Sequence, residues 1–261
     1  MTVAAFYEHL GLPKACLLGK RIYKKQFHDN AKLTSADKKA LSEDVDTIEW
    51  RYTLKPSTIN IPRYVTEEQD YSEVALLHIR LKEARRHKLI GKLLQRSIPY
   101  PMILVLEYHD SLLIQLADKR INQADSEKLV IESFLDTGWI SLAKPSDVQQ
   151  QFLQDFCVAG FSYANFHAFY QSIVQRVVAL NCAKQTGTYT LLESGNGKVN
   201  SGKQEPAARR MACLKKLDEL EKQQISLRSA LKKESQFNQR LELNMKIKKL
   251  AQEMDSVKEQ L

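Results

Sequence analysis

From Ala207 to Leu261 the chain has neither glycine nor proline, and its apolar side chains recur in steps of four and three. Cys213, Leu217, Leu220, Gln224, Leu227 and Leu231 make one series; Leu243, Ile247, Leu250, Met254, Val257 and Leu261 make a second. Such steps return to one side of an α-helix, so each series is a seam that buries against another helix. The series are out of phase. Continuing the first would reach positions 234, 238, 241, 245 and 248, which are mostly polar. An offset of two residues is neither of the usual coiled-coil insertions, which puts a break between Lys232 and Asn238. Folding the arms back sets Leu231 by Leu243, Leu227 by Ile247, Leu220 by Met254 and Leu217 by Val257, so one chain buries both seams. The hairpin is the preferred reading. Its competitor is a continuous helix forming a homodimer through the tail, and the lack of a glycine at the turn counts in that direction. The candidate partner-binding residues are Leu217, Leu220, Leu227, Leu231, Leu243, Ile247, Leu250 and Met254, with docking through the flanks of the seams.

Ahead of this tail, residues 185–206 hold four of the nine glycines and a proline among serine, threonine and asparagine. That is the composition of a flexible linker. The chain therefore divides into a domain over residues 1–184, a linker over 185–206 and a helical hairpin or coiled coil over 207–261. Gly197 to Lys203 has the spacing of a phosphate-binding loop, but Gln204 stands where serine or threonine would ligate magnesium. Linker is the simpler reading there.

The first domain reads as α+β, a mixed sheet of about five strands with flanking helices. Residues 48–54 alternate Ile48, Trp50, Tyr52 and Leu54 against Glu49, Arg51 and Thr53, as a half-buried strand does. Residues 74–81 place Ala75, Leu77, Ile79 and Leu81 inward, with His78 and Arg80 outward. Residues 102–107 form an apolar run suited to a central strand, pairing with 111–117 through a turn at His109 and Asp110. Residues 128–135 and 139–142 supply one or two further strands. Helices are expected over 4–10, 35–44, 83–97, 147–156 and 166–183.

The charge is +8 overall, and its placement says more than its sum. Arg80, Lys82, Arg85, Arg86, Lys88, Lys92 and Arg96 face the single acid Glu83, a local excess of six. A phosphate backbone would relieve that repulsion by releasing its counterions. The candidate nucleic-acid contacts are thus Arg80, Arg85, Arg86, Lys88, Lys92 and Arg96. The plainer reading is a solvated helix face, and no aromatics interleave to stack on unpaired bases. Lys20, Arg21, Lys24 and Lys25 make a second basic cluster, with no acid from 10 to 28. The tail carries thirteen basic and nine acidic residues from Glu205 onward.

Reactive motifs are scarce. Cys16, Cys157, Cys182 and Cys213 form no CxxC pair and read as free, mostly buried thiols. The six histidines form no i, i+4 pair, so no metal site and no cofactor is expected. A magnesium-dependent nuclease needs acidic residues and a lysine gathered on adjacent strands. The nearest set is Asp44 or Asp46 with Glu49 and Arg51, where arginine cannot do what lysine does; Glu107 and His109 are the other candidates. The alternative catalytic residues are Glu49 and Glu107, each more simply a strand's polar face or rim. No apolar run approaches the roughly 20 residues of a membrane span, and the N-terminus does not read as a secretory signal, so no membrane contact and a cytoplasmic location are expected.

Four segments, 24–31 (KKQFHDNA), 48–61 (IEWRYTLKPSTINI), 98–108 (IPYPMILVLEY) and 234–244 (ESQFNQRLELN), together resemble the bacterial domain of unknown function 4391 family, in that family's order and over essentially the whole chain. The resemblance implies bacterial origin and genes encoded beside helicases and DNA methyltransferases of restriction-like or phage-defence type. It points to a non-catalytic accessory or adaptor subunit with a helicase or methyltransferase partner, contacting nucleic acid. The alternative is a divalent-metal-dependent nuclease.

Overall fold

Thr2 caps the first helix, α1 (Val3–Leu10), by accepting from the Ala5 backbone N–H, and Gly11 ends it in the left-handed region at φ 70°. The computed structural model describes residues 1–122, 125–191 and 206–261, and falls into two compact units, Met1–Val177 and Val178–Leu261. After α1 come β1 (Leu17–Ile22), α2 (Lys24–Asn30), α3 (Ser35–Asp44), β2 (Val45–Leu54) and α4 (Pro56–Ile59). Next are β3 (Tyr64–Val65), β4 (Asp70–Tyr71), β5 (Val74–Leu81), α5 (His87–Ser97), β6 (Met102–Tyr108) and β7 (Ser111–Asn122). β8 (Asp125–Asp136), β9 (Ile140–Ser141), α6 (Asp147–Asp155) and α7 (Phe166–Thr186) follow, and the tail is α8 (Pro206–Lys233) and α9 (Phe237–Lys258).

The main sheet runs β1-β2-β5-β6-β7-β8, with β9 also on β7, and β3 pairs with β4 apart from it. Every pairing is antiparallel except β5 with β6, where α5 makes the crossover that parallel neighbours need. The β6–β7 hairpin turns at the expected residues, with Tyr108 opposite Ser111 and His109 at φ 50°. One face of the sheet packs Ala75, Leu77, Ile79, Leu104 and Leu106 against Ile90, Leu93 and Leu94 of α5 and Leu41 of α3.

The other face is also covered, which corrects one expectation. β5 is buried on both sides, and His78 is 5% exposed rather than outward-facing. The parallel pairing puts β5 in the centre of the sheet, where helices cover both faces. α1 reaches His78 through Tyr7, and Tyr170 of α7 donates to the Met102 carbonyl at 3.1 Å. Five elements, β1, α2, α4, β3 and β4, are additions to the expected list. α5 also starts four residues later than expected. Residues before it are tied to the end of α3, with the Lys82 N–H donating to the Asp44 carbonyl at 2.7 Å.

In the second unit the tail is a hairpin: α8 and α9 pack together and the connection falls inside the expected interval. No glycine is needed, because Gln236 is extended (φ −79°, ψ 125°) and its N–H donates to the Glu234 carboxylate at 2.8 Å. Leu217, Leu220, Met254 and Val257 form a buried cluster, and Lys216 pairs with Glu253 at 2.8 Å across the seam. The continuous dimerising helix gives way to this arrangement. No helix among the described residues is long and apolar enough to cross a membrane.

Candidate functional site

Glu49 on β2, His78 and Arg80 on β5, and Glu107 on β6 share one face of the sheet. Glu49 stands opposite His78 in register, and Arg80 opposite Glu107. Tyr7 OH lies 2.7 Å from His78 Nδ1, and His78 Nε2 lies 2.7 Å from a Glu107 carboxylate oxygen. A carboxylate only accepts, so Nε2–H donates to Glu107 and Nδ1 accepts from the tyrosine. Burial lowers the pKa of His78, with the Glu107 charge opposing that shift, and burial raises Tyr7 well above its ordinary value. Tyrosine and histidine are therefore both neutral, and each ring nitrogen is already engaged.

The outward side of this cluster is cationic. Arg80 reaches the other Glu107 oxygen at 3.4 Å, and Arg51 pairs with Glu49 at 3.2 Å while lying 4.1 Å over the Tyr7 ring. Both candidate catalytic carboxylates are thus on one face, and each is bound by a base. Among the described residues no group of three or more His, Cys, Asp or Glu side chains is placed to hold a metal ion. The four cysteines are free thiols, Cys16 and Cys182 buried. Chemically, the cluster is a brace: it fixes the Glu107 carboxylate and, through it, an arginine at the surface. Its signal in the sequence was the histidine interrupting the apolar run VALLHIRL; Tyr7 gave none.

The six residues read as nucleic-acid contacts do not form one patch. Arg80 belongs to the cluster just described, on the face opposite α5. Arg85 and Arg86 lie on the approach to α5, where Arg86 donates to Asp44 at 2.6 Å and to Glu43 at 2.7 Å, and Arg85 pairs with Glu43 at 3.3 Å. Those hydrogen bonds hold the Glu43 and Asp44 carboxyls below the usual carboxylate range. Lys88, Lys92 and Arg96 are exposed along one side of α5, opposite its buried Ile90, Leu93 and Leu94. Arg96 reaches the buried Asp37 at 3.4 Å. The excess of six along the chain is reduced by four acids from elsewhere (Glu43, Asp44, Asp37 and Glu107) to two. Lys88 and Lys92 are in no ion pair among the described residues, and Lys92 lies 5.6 Å from the Phe134 ring centre.

In the tail, Leu217, Leu220 and Met254 are buried within the hairpin, while Leu227, Leu231, Leu243, Ile247 and Leu250 are half-buried on its seam. The residues 192–205, which hold most of the expected linker and its Gly197–Lys203 loop, lie outside the described residues.

The family model described as Domain of unknown function (DUF4391) matches residues 10–254 of the 261. No curated protein and no solved structure matches the chain.

Proposed function

The chain belongs to the DUF4391 family, and from there we propose that it is a non-catalytic accessory subunit of a bacterial restriction-like or phage-defence assembly in the cytoplasm. It contacts a phosphate backbone through α5 and docks a helicase or methyltransferase subunit through its hairpin. The assembly is taken from the gene neighbourhood that the family resemblance implies. One observation supports the division of labour: the carboxylates that could serve chemistry, Glu49 and Glu107, are each paired with a basic side chain, whereas Lys88 and Lys92, exposed on a helix face, are in no ion pair among the described residues. Side chains four apart on a helix stand about 6 Å apart along its axis, a spacing that suits successive phosphates.

Fluorescence anisotropy of a labelled duplex, at low and then rising salt, tests this. The Lys88→Glu/Lys92→Glu variant is expected to bind at least about tenfold more weakly, with a salt slope shallower by about two. Unchanged affinity would remove the phosphate half of the reading. The metal-nuclease alternative has less support, since its carboxylates are the ones engaged by base.

A further inference from the structure

The distal half of the hairpin differs from its root. Residues 222–249 carry eight basic residues against Glu234 and Glu242, an excess of six; the rest of 205–261 carries five against seven, a deficit of two. All the net positive charge of the tail therefore lies at one end. No residue of 222–249 is buried. Phe237 is 79% exposed, Met245 66% and Leu241 53%. Phe237, Leu241 and Met245 are four apart, so they form one ridge along α9, distinct from the seam at Leu243 and Ile247. Large apolar side chains grouped at this exposure mark a surface that something covers.

We propose that this end of the hairpin docks an acidic amphipathic helix of a partner protein, its apolar ridge crossing Phe237, Leu241 and Met245 and its carboxylates meeting the surrounding lysines and arginines. This rests on the reading of the hairpin as a docking arm and names the chemistry of what it takes. Charge complementarity selects the occupant. A second copy of the chain would set an excess of six against an excess of six. A phosphate backbone meets the charge but offers nothing to cover a phenylalanine and a methionine. A bilayer surface calls for a broad apolar face; here the ridge is one residue wide, flanked by Asn238, Arg240, Glu242, Asn244 and Lys246.

The test titrates the full chain against four probes. These are a synthetic leucine-ridged helix with glutamate flanks, the same helix with lysine flanks, phosphatidylcholine vesicles containing phosphatidylserine, and a labelled duplex. The variant Phe237→Ser/Leu241→Ser/Met245→Ser changes only exposed side chains, and its helicity is checked by circular dichroism. The glutamate-flanked helix is expected to bind, and the variant to weaken it at least about tenfold, or 1.4 kcal/mol, with duplex affinity unchanged. The inference is overturned if the lysine-flanked helix binds as well, or if the variant binds the acidic helix like the parent. It is equally overturned if vesicle binding, duplex binding or self-association is what the variant loses. Failure of the phosphate reading is separate, because Lys88→Glu/Lys92→Glu reports on it alone.

Discussion

Lys119 is buried on β7 with no acid paired to it among the described residues, and its ammonium donates to the Ile98 and Tyr100 carbonyls at 2.7 Å each. Burial lowers its pKa to about 7, whereas an unfolded lysine keeps its proton to about 10.4. Between those values the unfolded chain binds more protons, so raising the pH through that window stabilises the fold. From pH 7 to pH 9 the gain from this one group is on the order of 2 kcal/mol, and Lys119→Met should abolish it. Urea denaturation of both proteins at the two pH values measures it; equal pH dependence would show that the lysine is not desolvated. Arg86 is the second residue whose role is structural. The Asp44 side chain is inaccessible to solvent, and Arg86→Met removes its main partner, so the variant is expected to unfold at lower urea than the parent in the same experiment, and an unchanged midpoint would contradict the pairing. Neither residue's role was legible along the chain, since the carbonyls and carboxylates they meet come from other elements. For the same reason charge reversal at Arg86 would confound a binding assay, while Lys88 and Lys92 are clean positions.

At the scale of elements, the central strands and the hairpin were legible because their burial is regular. The tail seams repeat in steps of three and four, and β6 is a continuous apolar run; β5 was legible as a strand, although both its faces are buried where alternation pointed to one. β1 was not legible, because an edge strand whose residues are exposed or half-exposed has no alternation to read. α2 has one buried side chain, Phe27, among its described side chains. The hairpin itself should be uneven in stability. Leu217→Ala, in the buried cluster at its root, is expected to cost about 2–4 kcal/mol; Leu241→Ala, on the exposed distal ridge, should stay within about 0.5 kcal/mol. Thermal melts of the full chain followed at helical wavelengths distinguish them, and equal losses would contradict the division into a packed root and an open end.

For the whole molecule, the candidate site was half legible. Glu49 and Glu107 stood out as acids on strands, and their sheet face is shared as metal chemistry would require. What the linear sequence did not carry was that Arg51, His78 and Arg80 arrive on that same face to occupy them, a consequence of register between strands far apart in sequence. The molecule that results presents paired carboxylates, two lysines on α5 in no ion pair among the described residues, and a basic distal hairpin, and these are the features that support the proposed binding role. Incubating the full chain with labelled duplex in magnesium or manganese, and resolving bound from cleaved DNA, tests this most directly. A retarded, intact duplex whose retardation survives Glu107→Ala is the expected result. Metal-dependent cleavage that Glu49→Ala or Glu107→Ala abolishes would contradict it.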